Sequence, residues 1–344
     1  MKLDKRLRYG FTIIEILVVI AVIGILVAIT AVSYNGLSSR AVASSLQSDL
    51  VNASDYLRID KAQSSTGVFP ATLAAANGGT GVKVSSGTTF TYTVNNTNTP
   101  KTFCVTATKS GQSYNINQEG IPFAGPCPVL WLDAGITTSY PGTGTTWNDL
   151  SGNGNNGTLV NGVVYNSANG GVLDFSGTNR YVSTPYIAQY NIRNAITISV
   201  WIKRTTGFSQ LADVMILARP SAWYFYDAYN SGSMQADVFI DGVRRGSRTA
   251  TVPFDGNWYQ ITYTYDSNTH ISSMYKNGVL SSSVALTGLS NYLIDSSTAA
   301  LTSMGNCGTS GRGMMLNGAL IYDHALSADE ISKNFNALHN RYGI

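Results

Sequence analysis

One carboxylate stands at the start of an apolar stretch. Glu15 precedes residues 16–32, which carry no charge and have one polar side chain, Thr30. A carboxylate placed in hydrocarbon is costly and usually has a function. It needs a cation, and cutting the chain after Gly10 would create one, the α-ammonium of Phe11. We therefore expect Glu15 to pair with the terminal amine of a neighbouring helix.

Paired carboxylates could instead cleave a polysaccharide, if two lay on one strand face at a separation of roughly 5 Å or more. The glutamates are Glu15, Glu119 and Glu330, and each belongs to a different part of the chain. No predicted strand carries acidic residues at alternate positions, and the histidines lack the spacing of a metal site. We therefore expect the protein not to be an enzyme, and an anchored glycan hydrolase is the least favoured function.

A glycine-rich loop at residues 149–157 is the candidate site for an ion. Calcium takes several oxygen ligands, and Asp149, Asn153 and Asn155 would supply them from side chains. The alternative is a tight surface loop in which asparagine and glycine adopt left-handed backbone. Calcium is the one cofactor that the sequence suggests.

Aromatic residues could stack on sugar rings. Trp147, Trp223, Tyr224 and Tyr226 are the candidate ligand-binding residues. Successive side chains of a strand point to opposite faces, and aromatic residues of a β-sandwich mostly pack in its core. Part of this set is therefore expected to be core.

The charge distribution argues against nucleic acid as a partner. The chain of 344 residues has a formal net charge of +3, and the whole excess lies in the leader, residues 1–10. A basic leader keeps the N-terminus cytoplasmic. Arg244, Arg245 and Arg248 form a basic turn, which is more typical of a solvated hairpin edge than of a nucleic-acid site.

The elements that position these residues begin with a helix predicted over residues 11–65. Its first part, residues 13–32, supplies the roughly 20 apolar residues that a membrane span requires. Beyond the span, one apolar face continues at helical spacing. The residues of that face are Val42, Leu46, Leu50, Ala53 and Leu57.

The pattern after the helix alternates with a period of two, which is typical of half-buried strands. Strands are predicted at residues 89–94 and 101–106 and near 114–116. A proline-rich stretch, residues 121–128, then marks a domain boundary. Residues 66–127 are thus expected to form a small sheet that packs on the helix.

The rest of the chain, residues 128–344, is predicted to be all-β with one late helix. Asp241-Gly242 and Asn277-Gly278 are strong hairpin signals, because both residues tolerate positive φ. Ser327 and Glu330 form a capping box, which predicts a helix that ends near Leu338. The predicted strands are residues 171–175, 181–184, 195–203, 213–218, 223–229, 236–240, 258–266, 271–276 and 314–322.

The N-terminus resembles the class III signal of type IV prepilins and pseudopilins. The residues that match the motif are Gly10, Phe11, Thr12, Glu15 and Gly24. The resemblance implies cleavage after Gly10 by a prepilin peptidase/methyltransferase, methylation of the Phe11 amine, and assembly with other pilin subunits. A simple membrane anchor, the alternative, does not need Glu15. The chain departs from the family at Val32, where a proline is frequent.

A disulfide between Cys104 and Cys127 is implied by the same resemblance, since pilin heads often carry one at this place. An extracytoplasmic compartment is oxidising and allows the bond. Two buried free thiols are the alternative. Three cysteines permit three pairings, and this one leaves Cys307 unpaired.

The second domain resembles the concanavalin A-like jelly roll of laminin G-type domains. This fold hosts binders, enzymes and spacers, so the resemblance is specific for fold and weak for function. The residues that carry it are 173–175 with 181–182, 196–202, 256–259, 277–279, 318–320 and 325–327.

The predicted fold is therefore multi-domain: a long N-terminal transmembrane helix with a small α+β pilin head, then an all-β concanavalin A-like jelly-roll sandwich. We interpret the chain as a minor or modified pilin-like filament subunit whose jelly roll binds a surface glycan or protein. The alternative is a pseudopilin of a secretion or DNA-uptake system with a cargo-recognising domain. The expected location is the cytoplasmic membrane, with the C-terminus outside, and after assembly the surface of the pilus.

Overall fold

The computed structural model describes residues 12–177, 179–185, 188–205, 214–228, 232–296, 303–305 and 313–344. For residues 30–35 and 303–305 it describes the backbone only. Within the described residues the chain forms two units, a helix with a small sheet and a sandwich of two sheets. The small sheet ends with a strand at Phe123–Ala124, and the sandwich begins with a strand at Leu130–Asp133.

The first element is α1, a continuous helix of 51 residues, Ile13–Gln63. It begins after the N-cap Thr12 and ends before Ser64, whose N–H donates to the carbonyl of Asp60 at 2.9 Å. Its second half buries the predicted apolar face, and four residues of that face are fully buried: Leu46, Leu50, Ala53 and Leu57. Among the residues described, no helix combines the length and the hydropathy expected of a membrane span.

Four antiparallel strands pack on the buried face of α1. Their bounds are β1 Thr89–Asn95, β2 Thr102–Lys109, β3 Gln112–Asn117 and β4 Phe123–Ala124, in the spatial order β1-β2-β3-β4. Phe103, Val105 and Ile116 join the leucines of α1 in one hydrophobic cluster. The first three strands confirm the prediction, and β4 is an additional strand on the edge beyond β3.

The second unit is the predicted all-β sandwich. Its strands are β5 Leu130–Asp133, β6 Thr146–Trp147, β7 Gly157–Val160, β8 Val164–Asn166, β9 Val172–Asp174, β10 Tyr181–Ser183, β11 Ala195–Arg204, β12 Val214–Arg219, β13 Trp223–Asp227, β14 Ser233–Ile240, β15 Val243–Thr251, β16 Trp258–Asp266, β17 Ile271–Lys276, β18 Val279–Ala285, β19 Ser303–Gly305 and β20 Met314–Tyr322. One sheet has the order β15-β14-β13-β12-β19-β10-β7-β6. The other has the order β18-β17-β16-β11-β20-β9-β8, with β5 paired to β20.

Both predicted hairpin turns are confirmed. Asp241 and Gly242, between β14 and β15, have φ of 53° and 73°. Asn277 and Gly278, between β17 and β18, have φ of 51° and 77°. The predicted late helix is α2, Ala328–Leu338, and Ser327 with Glu330 forms its capping box. Short 3-10 helices lie at Ala168–Gly170, Ala188–Tyr190 and His339–Tyr342.

The sandwich is attached to the small sheet by more than the connecting chain. Asn334 of α2 exchanges two hydrogen bonds with the backbone of Ala124 in β4: the Ala124 N–H donates to Oδ1 at 2.8 Å, and Nδ2 donates to the Ala124 carbonyl at 2.9 Å. The ring of Phe123 meets that of Trp131 edge-on, with centres 5.0 Å apart. The last helix and the first strand of the sandwich therefore both contact the edge of the small sheet.

Candidate functional site

Glu15 lies at the first turn of α1, where it forms a capping box with Thr12. Its Oε2 accepts hydrogen bonds from the N–H and the hydroxyl of Thr12, both at 2.8 Å, and the Thr12 hydroxyl accepts from the Glu15 N–H at 3.3 Å. The sequence signature of such a box is Thr-x-x-Glu, and Thr12 with Glu15 carries it, although the box was not predicted above. Gly10 and Phe11, the predicted processing residues, lie outside the described part of the chain.

The apolar side chains that follow Glu15 are exposed on the isolated chain. Ile13 is 82% exposed, Ile14 is 71% exposed, and the exposed apolar residues continue to Ile29 at 58%. An apolar surface of this extent marks a region that is covered by another molecule or by a membrane.

The predicted disulfide between Cys104 and Cys127 is confirmed. Cys104 is fully buried in β2, and the N–H of Cys127 donates to the hydroxyl of Thr106 at 2.9 Å. The bond therefore fixes a central strand of the small sheet to the segment that leads into the sandwich. Cys307 lies outside the residues that the structure describes.

Asp149 is a buried carboxylate that is surrounded by hydrogen-bond donors. Its Oδ1 accepts from the N–H groups of Trp131 and Ser151, both at 2.9 Å. Its Oδ2 accepts from the hydroxyl of Ser151 at 2.7 Å and from the N–H of Asn155 at 2.9 Å. Burial raises the pKa of the Asp149 carboxyl, and these hydrogen bonds oppose that rise because they stabilise its ionised form.

The loop brings the three predicted calcium ligands together, but their hydrogen bonds do not fit a calcium site. Calcium needs oxygen ligands that are free to coordinate it, whereas each oxygen of Asp149 already accepts two hydrogen bonds. Asn153 and Asn155 direct their amide nitrogens to the carbonyl of Val129, at 3.2 and 2.9 Å. In the described ranges, no three His, Cys, Asp or Glu side chains are grouped to hold a metal. Calcium binding thus stays a prediction that this geometry does not favour.

The same loop packs against the small sheet. Asn98, in the turn after β1, donates from Nδ2 to the carbonyl of Gly154 at 3.2 Å. Gly152 has a φ of +82°, and a Cβ there would lie 2.8 Å from the carbonyl oxygen of Thr93 and 3.1 Å from the nitrogen of Cys104. Only glycine fits this contact. The glycines of the loop therefore allow the sandwich to approach the backbone of the small sheet closely.

Two of the four predicted ligand-binding aromatic residues belong to the core. Trp147 and Trp223 are fully buried and lie in the main hydrophobic cluster of the sandwich. The prediction that they stack on a sugar is therefore wrong. Strand alternation is the physical reason for Trp223, which points inward from β13 together with Phe225. Tyr224 and Tyr226 point to the outer face of the sheet, where Tyr224 is half-buried and Tyr226 is buried, at 3% exposure.

On that outer face the two tyrosines meet an arginine of β15. The guanidinium carbon of Arg244 lies 4.8 Å from the ring centre of Tyr224 and 5.4 Å from that of Tyr226. Both distances are within the range of cation–π attraction. Arg244 Nη1 donates to the hydroxyl of Tyr226 at 3.4 Å, and that hydroxyl donates to Asp237 at 3.4 Å. The structure thus joins part of the aromatic set to part of the basic turn, two features that lie far apart in the sequence.

The glutamates have separate structural contacts. Glu15 caps α1, Glu330 caps α2 through Ser327, and Glu119 accepts a hydrogen bond from the hydroxyl of Thr138. These contacts place the three carboxylates in three different parts of the fold: the first turn of α1, the turn after β3 and the first turn of α2. A pair that flanks one glycosidic bond requires two carboxylates in the same cleft, and the glutamates do not form one.

Two family models match the chain, one at its N-terminus and one in the sandwich. Residues 176–332 match the family model described as the Concanavalin A-like lectin/glucanases superfamily. Residues 5–31 match the Prokaryotic N-terminal methylation motif. The chain therefore carries a type IV pilin signal at its N-terminus and a concanavalin A-like domain after it. No curated protein matches the chain.

Solved structures share the fold of the sandwich. The binding domain of Paraclostridial Mosquitocidal Protein 1 is 17% identical with a TM-score of 0.51, over 63% of this chain and 55% of that one. The botulinum neurotoxin serotype D binding domain is 15% identical with a TM-score of 0.50, over 61% of this chain and 52% of that one. The chain thus spans about half the length of these structures. At such identities the likeness concerns the fold alone.

Proposed function

We propose that this chain is a type IV pilin-like filament subunit, a minor or modified one, that displays an adhesive jelly-roll domain. The observation that carries the proposal is the presence in one chain of the N-terminal methylation motif, at residues 5–31, and a concanavalin A-like domain, at residues 176–332. The first part assembles and the second part binds a surface glycan or protein. The protein performs no catalysis, in keeping with the separate structural contacts of its glutamates.

Residues 13–32 cross the cytoplasmic membrane before assembly. The exposed apolar side chains between Ile13 and Ile29 support this, because hydrocarbon would cover them. The basic leader stays inside, so the jelly roll lies outside. After assembly the same apolar surface packs against the helices of neighbouring subunits, and the protein becomes part of the extracellular pilus.

Glu15 receives its cation when the leader is removed. A prepilin peptidase/methyltransferase cleaves after Gly10, and the ammonium of Phe11 pairs with Glu15 of the next subunit. The hydrogen bonds from Thr12 do not prevent this, because an ionised carboxylate has about four acceptor positions. Glu15 therefore caps its own helix and also forms an ion pair with the Phe11 ammonium of a neighbouring subunit.

Residues 66–127 serve as the pilin head, and residues 128–344 are the displayed domain. The Cys104–Cys127 disulfide and the contact of Asn334 with Ala124 support a fixed mounting of one on the other. A rigid interface between the two domains transmits a force on the jelly roll to the head and from there to the filament. An adhesive subunit needs such a connection.

The mature protein is expected to begin at Phe11 and to carry one added methyl group on its α-amine. Intact-mass and peptide mass spectrometry of the assembled protein would measure both changes. A Gly10→Leu variant is the control, because a bulky side chain at the cut should block the peptidase and leave the leader attached. A mature chain that starts at Met1, or beyond Val32, would contradict the filament proposal.

A further inference from the structure

We propose that the jelly roll binds carboxylate-bearing sugars at a surface formed by Arg244, Tyr224 and Phe239. These three residues, named here the Arg244 platform, come from three neighbouring strands, β15, β13 and β14. The inference rests on the proposed display function of the domain and specifies the chemistry of its ligand.

Strand register places the platform on the outer face of its sheet. Phe239 stands directly opposite Arg244, and Asp237 stands directly opposite Tyr224. Directly opposite residues of antiparallel strands share a face. Val238, which lies between Asp237 and Phe239, points to the other face and is fully buried in the core. The platform therefore points away from the interior of the sandwich.

Tyr224 and Phe239 form the apolar floor of the platform. Their ring centres are 5.0 Å apart and their planes are nearly perpendicular, at 81°. Both side chains are half-buried, so packing holds each ring while part of it still meets solvent. Binding sites commonly combine such aromatic surface with a few convergent polar groups. The C–H face of a pyranose ring matches this floor.

Arg244 supplies the charge beside the floor. Its side chain is 41% exposed, and its guanidinium carbon lies 4.8 Å from the ring centre of Tyr224 and 5.9 Å from that of Phe239. Nε lies 3.9 Å from the carboxylate of Asp237, and Nη1 donates to the hydroxyl of Tyr226. These contacts orient the guanidinium and engage Nε and one N–H of Nη1, so a two-bond contact with a ligand would use Nη2 and the second N–H of Nη1. Among the described residues, Nη2 has no acceptor.

A planar carboxylate is the group that fits an arginine held in this way. The guanidinium fork binds carboxylates through two parallel N–H···O bonds. Because neighbouring side chains already position the fork, binding orders it at a smaller entropic cost. The aromatic floor then selects a ring that carries the carboxylate, as in uronic and sialic acids. Acidic sugars satisfy both halves of the platform, whereas a neutral sugar would use only the floor.

The other two arginines of the basic turn do not belong to the platform. Arg245 and Arg248 stand opposite Val238 and Ala236, which are core residues. They therefore lie on the opposite side of β15 from Arg244. There Arg248 Nη1 donates to the carbonyl of Ser283, in the second sheet, at 3.3 Å. Arg248 thus offers a matched control, with the same strand and the same charge but the other face.

The test applies the full-length protein, purified in detergent, to immobilised glycans that bear uronic-acid or sialic-acid carboxylates, and to the methyl esters of the same glycans. Esterification keeps the ring and removes the charge. We expect at least one acidic glycan to be retained. Its ester should bind at least about ten-fold more weakly, since hydrogen bonds to a charged group are the stronger ones. Equal retention of acid and ester, or retention of no acidic glycan, would overturn the inference.

Variants then locate the site. Arg244→Gln is expected to weaken binding of the acid about ten-fold or more and to leave binding of the ester unchanged. Tyr224→Ala should weaken both, because it removes the floor, and Arg248→Gln should change neither. Thermal unfolding of each variant verifies that the domain is folded. If the Arg244→Gln variant is folded and binds the acidic glycan as tightly as the parent protein, the binding site lies elsewhere and the proposed role of the Arg244 platform is refuted.

Filament assembly, scored in cells that express the parent chain or these variants, separates this inference from the function on which it rests. A chain that assembles into filaments but retains no acidic glycan refutes the ligand assignment alone. A chain that retains acidic glycans through Arg244 but never enters filaments supports the platform and refutes the filament proposal alone.

Discussion

Glu15→Gln is expected to lower incorporation of the subunit into filaments on the order of a hundred-fold or more, while membrane insertion and cleavage persist. Loss of a charge makes the segment more apolar, so insertion does not suffer. What disappears is the partner of the Phe11 ammonium, which would then enter the filament interior unpaired. The ratio of sheared extracellular subunit to membrane-held subunit measures the effect.

Thr12→Ala is the matched control, because Glu15 has two roles. The carboxylate of Glu15 accepts hydrogen bonds from Thr12, so a weakened helix start could imitate a lost ion pair. Thr12→Ala removes the capping hydroxyl, typically at a cost of about 1 kcal/mol, and keeps the charge. We expect it to assemble nearly like the parent chain. A defect as severe as that of Glu15→Gln would assign the role of Glu15 to capping.

Normal assembly of Glu15→Gln would refute the ion-pair account directly. Glutamine keeps an oxygen for the Thr12 donors, so the capping box survives in part and only the charge is removed. Glu15→Ala removes both the charge and the cap. Its defect should therefore equal or exceed that of Glu15→Gln.

The strands that the sequence predicts well are those with regular apolar or aromatic content. Predictions at 258–266, 271–276 and 314–322 have the same bounds as β16, β17 and β20. The edge strands β15 and β18 were not predicted. Their sequences, VRRGSRTAT and VLSSSVA, are rich in polar residues and are largely exposed. Edge strands carry such residues to avoid pairing with other chains, and this composition hides the strand pattern.

The Arg244 platform depends on which residues of neighbouring strands stand opposite each other, and the sequence reveals this strand register only in part. The hairpin turn Asp241-Gly242 makes Phe239 the partner of Arg244, so this half of the platform could have been found by counting back from the turn. The partnership of Tyr224 with β14 has no such local signal. A bulge in β15 then turns Arg248 to the face opposite Arg244, because an extra residue reverses the alternation.

The role of Asp149 was hidden for a different reason. Three of the four donors that surround it are backbone N–H groups, and one of these belongs to Trp131, in strand β5. Every residue except proline has such a group, so the donors leave no residue signature. Aspartate and asparagine in a glycine-rich loop therefore suggested calcium, although the structure uses the carboxylate to hold the loop by hydrogen bonds.

Asp149→Asn is expected to lower the melting temperature of the sandwich by roughly 6–12 °C, although the two side chains have nearly the same shape. The amide nitrogen of asparagine cannot accept the two hydrogen bonds that one carboxylate oxygen accepts now. Each buried donor left without an acceptor costs about 1–3 kcal/mol, so the two donors together cost about 3 kcal/mol. For a domain of this size, each kcal/mol lowers the melting temperature by about 2–4 °C. Asp266→Asn is the control: Asp266 is half-buried and accepts one backbone hydrogen bond, from Asn268 at 2.8 Å, so its replacement should change the melting temperature little.

The same unfolding experiment, repeated with a calcium chelator, decides between the two readings of the loop. If hydrogen bonds alone hold Asp149, chelation leaves the melting temperature of the parent protein unchanged, and Asp149→Asn lowers it with or without calcium. Asp149→Asn should also loosen the contact of Gly154 with Asn98, which hydrogen exchange in the turn after β1 would register as faster exchange. A fall on chelation as large as that caused by Asp149→Asn would instead establish a calcium site and refute the hydrogen-bonding account.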